Sequence, residues 1–134
     1  MRQSNLQLKL DTAGPIPVYL QIAAQVRDAV AAGSLGAGDE VPSVRALASQ
    51  YLINPNTVAR AYLELEHEGL LEKRRGAGTY VSSQAEALSR QHRVRAVSDM
   101  LAAAIAAARQ FGLTGDQIGK LWDKQMNARK ERSA

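Results

Sequence analysis

The apolar positions change period along the chain, and each change marks an element. Over the first segment Leu6, Leu8 and Leu10 alternate with polar residues before Gly14-Pro15, a loop signal. That alternation predicts a short strand or a tether. After Pro17 the apolar residues Tyr19, Ile22, Ala23, Val26, Ala29 and Val30 return every three or four positions, which is one face of a helix. Gly33 is a good stop for it. The stretch GSLGAGDEVPS then reads as a loop closed by Pro42. Ser43 is a natural N-cap for a second helix, with Val44, Leu47, Ala48 and Leu52 expected inward. Asn54 is a second N-cap, and Pro55 falls at the first helical position, where its missing N–H costs nothing. Val58, Ala61, Tyr62 and Leu65 form one face of this third helix, which Gly69 ends.

In LLEKRRGAGTYVSS the pattern becomes that of a hairpin. Leu71 and Lys73 lead in, Gly76-Ala77-Gly78 turn the chain, and Thr79, Tyr80 and Val81 return. A helix, then two helices joined by a short turn, then a hairpin compose a winged helix-turn-helix. From about Gln84 the spacing changes again. Val94, Val97, Leu101, Ala104, Ala108 and Phe111 step by three and four, an a/d seam. Alanines 102, 103, 106 and 107 flank the seam, so another backbone can pack closely. Gly112 stops this helix, and Thr114-Gly-Asp-Gln117 is a capping-box pattern. The last helix carries Ile118, Leu121, Trp122 and Met126 on one side, and the charged ending NARKERSA is expected to fray. The fold class is therefore mainly α with a small β-hairpin. Three parts are expected: an N-terminal tether over 1–14, a winged helix-turn-helix head over 15–83, and a C-terminal helical region over 84–134 for dimerisation or effector response.

Composition narrows the chemistry. A chain of 134 residues is one ordinary domain, or a small one with an appendage. With 46% hydrophobic residues but only 4% aromatic, its core must be aliphatic. The absence of cysteine excludes a disulfide scaffold, Cys-ligated zinc and a Cys nucleophile. His67 and His92 are distant from each other and make a poor metal site, so no metal or other cofactor is expected. Both are expected on the surface. No apolar run reaches the roughly 18 residues of a membrane span. The N-terminus lacks a secretory h-region, so a cytoplasmic protein is expected. Nothing supplies a nucleophile, a base and an orienting group together, so no enzyme is expected. The net charge is +4, yet residues 1–83 hold eight Lys/Arg against eight Asp/Glu, and residues 84–134 hold nine against five. Bulk charge is thus a weak argument for nucleic acid, and the local cluster Lys73-Arg74-Arg75 beside glycines is a better one.

The start of the third helix carries the sharper signal. The second helix of a helix-turn-helix enters the major groove with its N-terminal residues against base edges. Asn suits bidentate contact with adenine, and a Thr methyl can meet a thymine methyl. Asn54 fixes the helix start, and Asn56 and Thr57 point outward from its first turn. In isolation these residues are an ordinary cap and a solvated surface. The hairpin and basic cluster just downstream tip the reading toward DNA. Adjacent strand residues point to opposite faces, so Lys73, Arg74 and Arg75 cannot all touch DNA equally. Arg75 and one neighbour, Lys73, are the expected contacts.

The stretch GDEVPSVRALASQYLINPNTVARAYLELEHEGLLEKRRGAGTYV resembles the DNA-binding head of the GntR family of bacterial transcription regulators. The preceding PVYLQIAAQVRDAVAAGSLGAG is similar to that family's first helix. The likeness covers roughly residues 15–82, and the NPNTVARAY version with a short two-helix tail resembles the YtrA subfamily. The resemblance implies a homodimer on a double-stranded DNA operator. It implies DNA contacts from the second helix, from the start of the third and from the wing. Ser43, Arg45, Asn54, Asn56, Thr57, Arg60, Lys73, Arg75, Gly76, Gly78 and Thr79 are the candidates. Arg45 stands where the family commonly uses an arginine, and Asn56 and Thr57 stand where it often has paired threonines. Gly76 and Gly78 match the wing tip, which enters the minor groove. Pro55 and Ala59 depart from the pattern, standing where many members have base-reading arginines. The family's commonest operator therefore does not carry over, and Arg60 lies one residue off that pattern.

The C-terminal seam admits an intramolecular helical hairpin packed on the head, or a dimer interface. Two helices cannot bury both apolar faces alone, and a groove-binding head gains specificity by doubling. Dimerisation is favoured, through Val97, Leu101, Ala104, Ile105, Ala108, Phe111, Leu121 and Trp122. Trp122 serves equally as core filler or as an interface hot spot. The tail has little room for an effector cavity of the usual 300–1,000 Å³ or so. A small-molecule effector would then sit between tail and head or at the dimer interface. The function expected is a sequence-specific transcriptional regulator, a repressor acting beside a transporter operon, as the subfamily resemblance implies. The alternative is a winged-helix protein–protein interaction module, which would lack salt-dependent DNA binding.

Overall fold

The computed structural model describes residues 6–132, with side chains as far as residue 129. Seven elements follow in order: α1 (Val18–Ala31), α2 (Val44–Tyr51), α3 (Pro55–His67), β1 (Leu71–Arg74), β2 (Gly78–Val81), α4 (Ala85–Gln110) and α5 (Gly115–Arg132). The chain divides into two compact units, Met1–Arg93 and Val94–Ala134, so α4 belongs to both.

The first unit is a winged helix-turn-helix. Its core is aliphatic, with Ile22 and Val26 from α1, Leu47 from α2, Val58 and Leu65 from α3 and Val81 from β2 all fully buried. Removing such a side chain from water stabilises a fold by roughly 1.5–3 kcal/mol. Both helix starts of the central motif are capped as their sequence requires. The Ser43 hydroxyl accepts the Ala46 N–H at 3.1 Å, and Asn54 Oδ1 accepts the Asn56 N–H at 2.8 Å. The hairpin pairs Leu71 with Val81, Glu72 with Tyr80, Lys73 with Thr79 and Arg74 with Gly78. The loop before α2 adds a short third edge: the Val41 N–H reaches Thr79 O at 3.0 Å, and the Val81 N–H reaches Asp39 O at 2.8 Å.

The leucine alternation near the N-terminus builds no strand among the described residues. Leu6 and Leu8 are instead buried in the core. Side-chain amides supply the partners that a neighbouring strand would give. Gln25 exchanges two hydrogen bonds with the Lys9 backbone, at 2.8 and 2.7 Å, and Gln21 exchanges two with Asp11, both at 2.8 Å. The Leu8 N–H donates to the Tyr51 hydroxyl at 2.7 Å. Residues 1–5 of the expected tether lie outside the described residues.

Three local expectations are corrected. Leu52 does not face inward. It is the C-cap of α2 in the left-handed region, with φ 54°, and is 92% exposed. The αL cap turns the chain so that orphan carbonyls at the helix end are satisfied, and it sends the side chain into water. His92 is half-buried, with Nε2 3.2 Å from Asp28 Oδ1. Of the ending expected to fray, residues 127–132 continue as helix, as a segment rich in good helix formers such as Arg and Lys can, and residues 133–134 lie outside the described residues.

The second unit holds the rest of α4 and α5. Gly112 turns between them with φ 83°. The predicted capping box is present: the Thr114 N–H donates to Gln117 Oε1 at 2.9 Å, and the Gln117 N–H to Thr114 Oγ1 at 3.3 Å. No described side chain of this unit is buried.

Candidate DNA-binding surface

The start of α2 presents Ser43 and Arg45. Ser43 is exposed but its hydroxyl is engaged as the cap, and the exposed Arg45 has no ion pair or hydrogen bond among the described residues. The start of α3 presents Asn54, whose carbonyl oxygen caps the helix, and the exposed Asn56. Thr57 is half-buried on the flank of the helix. Asn56, Ala59, Arg60, Leu63 and His67 follow at helical spacing and form the outward stripe of α3, opposite buried Val58, Ala61, Tyr62 and Leu65. Arg60 lies one turn beyond Asn56 on that stripe. Its guanidinium carbon sits 3.9 Å from the centre of the Tyr19 ring on α1.

Two further contacts hold α3 in place. The Tyr62 hydroxyl donates to Pro42 O at 2.7 Å, tying the helix to the residue just before the cap of α2. Burial pushes the Tyr62 hydroxyl well above its ordinary pKa. At the far end Glu68 takes a forked pair of hydrogen bonds from Arg27 of α1, and that bond raises Arg27 above its already high value. These contacts tie the middle and the C-terminal end of α3 to neighbouring elements, so its outward stripe is presented in a defined register.

The wing brings its basic residues together unequally. Lys73, Arg74, Arg75, Gly76, Gly78 and Thr79 line a shallow depression of about 430 Å³. Arg74 stacks on Tyr80, 4.1 Å from the ring centre, and approaches Glu72 Oε1 at 3.4 Å. Lys73 Nζ is 4.0 Å from Glu66 Oε1, a buried oxygen with no hydrogen-bond partner. Arg75 is exposed and has no partner among the described residues. Gly76 and Gly78 have φ of 74° and 102°. The positive φ at Gly78 favours glycine there, and a Cβ would meet the tip of the Glu40 side chain, Oε1, at 3.0 Å.

The predicted dimer residues fall in the second unit. Leu101, Ala104, Ile105 and Ala108 of α4 and Ile118, Leu121 and Trp122 of α5 line an open groove of about 730 Å³. Val97 and Phe111 are exposed and do not line it, Phe111 being 86% exposed. No group of His, Asp and Glu among the described residues could hold a metal ion, and no helix among them is long and apolar enough to cross a membrane.

Sequence reasoning missed Tyr19 and Arg74. Arg74 was legible in principle: on one face of a hairpin a residue reaches the diagonal neighbour of its partner, and here that neighbour is Tyr80. The Tyr19–Arg60 stack has no local signal, because it depends on how α1 packs on α3.

This geometry is that of a winged helix-turn-helix DNA-binding protein. The model of the bacterial regulatory proteins of the gntR family matches residues 18–81. The HTH-type transcriptional repressor YtrA of Bacillus subtilis strain 168 is 35% identical over 121 residues, or 90% of this chain and 92% of the relative. The crystal structure of a transcriptional regulator from Oenococcus oeni superposes with a TM-score of 0.77 at 34% identity, covering 87% of this chain and 97% of that one. The DNA-binding domain of AraR, solved in complex with operator ORX1, has a TM-score of 0.52 at 25% identity and covers 57% of this chain and 98% of that one. The chain belongs to the GntR family: it is a YtrA-like DNA-binding transcriptional regulator and not an enzyme.

Proposed function

We propose that the chain acts as a homodimeric repressor, two winged heads binding one near-palindromic operator in the cytoplasm. The observation that carries the DNA reading is the start of α3. There exposed Asn56 stands at a capped helix mouth, on a stripe that also holds Arg60, and the helix is tied through Tyr62 to Pro42. Asn56 and Arg60 would read base edges or phosphates, Thr57 would add a flank contact, and Arg45 and Arg75 would take phosphates as free cations. The Gly76–Gly78 wing tip would enter the minor groove. Dimerisation is supported by the second unit, whose apolar groove holds no buried side chain in a single chain. A second copy would cover it, with Leu101, Ile105, Leu121 and Trp122 central. Of the expected parts 1–14, 15–83 and 84–134, the N-terminal segment and residues 84–93 would belong with the DNA-binding head, leaving 94–134 as the dimerisation region.

Repression would be steric, the dimer covering promoter DNA. The target proposed from the subfamily resemblance is a transporter operon. Release would follow from a small-molecule effector that changes the spacing between the heads. The test is fluorescence anisotropy on a duplex that the wild-type protein enriches from a randomised pool, with a scrambled duplex as control. Asn56→Ala should lose about tenfold or more in affinity for the enriched duplex while its fold and dimer persist. Equal, salt-insensitive behaviour of wild type on both duplexes would favour a protein–protein interaction module instead.

A further inference from the structure

We infer that Tyr19 is a positioning residue for DNA recognition: its ring holds Arg60 stacked so that the guanidinium edge is offered, already ordered, to a paired acceptor on the DNA. The inference rests on the DNA-binding reading of α3. Three observations carry it. Arg60 sits four residues after Asn56, on the same outward stripe of the helix. Its guanidinium lies 3.9 Å from the Tyr19 ring centre. A stack of this kind occupies the face of the guanidinium and leaves the N–H groups in its plane free. No acceptor among the described residues takes them.

The platform itself is fixed. Tyr19 lies in the first turn of α1 and is half-buried against the hydrophobic core. Arg45 and Arg75 are exposed without any such support. An arginine free in solvent loses many rotamers when it binds, whereas one already stacked has lost most of them beforehand. A planar pair of N–H donors fits a guanine O6/N7 edge or two phosphate oxygens. Tyr19 therefore contributes to operator affinity without touching DNA.

The test is a double-mutant cycle on the full-length protein, by anisotropy on the duplex enriched by wild type. Tyr19→Leu should weaken binding roughly two- to fivefold, the value of one cation–π contact at an exposed site. Tyr19→Phe keeps the ring and should bind as wild type does. Tyr19→Leu should have no further effect in an Arg60→Ala background, which a general loss of fold would not reproduce. The acceptor is identified in the same series. If it is a phosphate, Arg60→Ala lowers the slope of log affinity against log salt by about one. If it is a base, the slope holds and discrimination at one G·C pair is lost. Tyr19→Leu binding as tightly as wild type, binding more tightly, or weakening equally in both backgrounds would overturn the inference while leaving the DNA-binding reading intact. A wild type that enriches and binds no duplex would overturn both.

Discussion

The two units of this chain are built on opposite principles. The head closes its own core: residues from α1, α2, α3, β2 and even the N-terminal segment are buried together, and both helix starts of the central motif are capped. The second unit has good helices and a complete capping box, yet none of its described side chains is fully buried. Local helix chemistry is satisfied in both units, so it cannot explain the difference. What differs is whether the apolar faces meet within one chain. Leu101 is 37% exposed and Trp122 49%, although their spacing is as regular as that of Ile22 and Val26. A face of this kind is stable in water only when covered, so the second unit's stability should depend on protein concentration and the head's should not.

The largest effect should separate the two units. Leu65→Ala in α3 removes a fully buried side chain and should cost the head about 2–5 kcal/mol in urea unfolding. Leu101→Asp in α4 should leave head stability nearly unchanged, yet convert a dimer to a monomer in sedimentation equilibrium. If Leu101→Asp remained dimeric, the groove would not be the interface.

A smaller, pH-dependent effect belongs to the head alone. Burial holds the Tyr62 hydroxyl protonated well beyond the pH at which a free tyrosine ionises. The folded pKa is raised, so the associated stability is complete below about pH 10 and declines as pH climbs above it, where the unfolded chain ionises first. Tyr62→Phe should flatten that alkaline decline. Near neutrality it should cost about 1 kcal/mol, because Pro42 O loses its donor. Unfolding curves at pH 8 and above 10 check both. The smallest effect should be a gain. Leu52 pays roughly 1–2 kcal/mol for its left-handed backbone, against about 0.5–1 kcal/mol of extra chain entropy for glycine. Leu52→Gly should therefore stabilise the head by about 0.5–1 kcal/mol, read as a higher melting temperature.

Much of this was legible in the sequence because its determinants are local. Ser43, Asn54-Pro55 and the Thr114–Gln117 box declare helix starts through side chains that bond backbone within three residues. The hairpin was legible from Gly76 and Gly78, whose positive φ the turn requires. The failures are at places where tertiary structure decides. Leu52 continues the helical period after Ala48, so periodicity placed it inward, but the helix ends one residue earlier. The N-terminal leucines alternate as a strand would, yet Gln21 and Gln25 on α1 take the place of a strand partner. Of the candidate site, the capped helix mouth and the wing could be read. The platform under Arg60 could not, since Tyr19 is some forty residues away in sequence.

The central claim is that two heads, joined through the second unit, bind one operator. Its most direct test is the stoichiometry of the wild-type protein on the enriched duplex, by analytical ultracentrifugation at several salt concentrations, with one half-site scrambled as a comparison. Two chains per intact duplex are expected, with binding that weakens steeply with salt and a large loss when either half-site is scrambled. One chain per duplex, or equal affinity for intact and half-scrambled DNA, would contradict the claim.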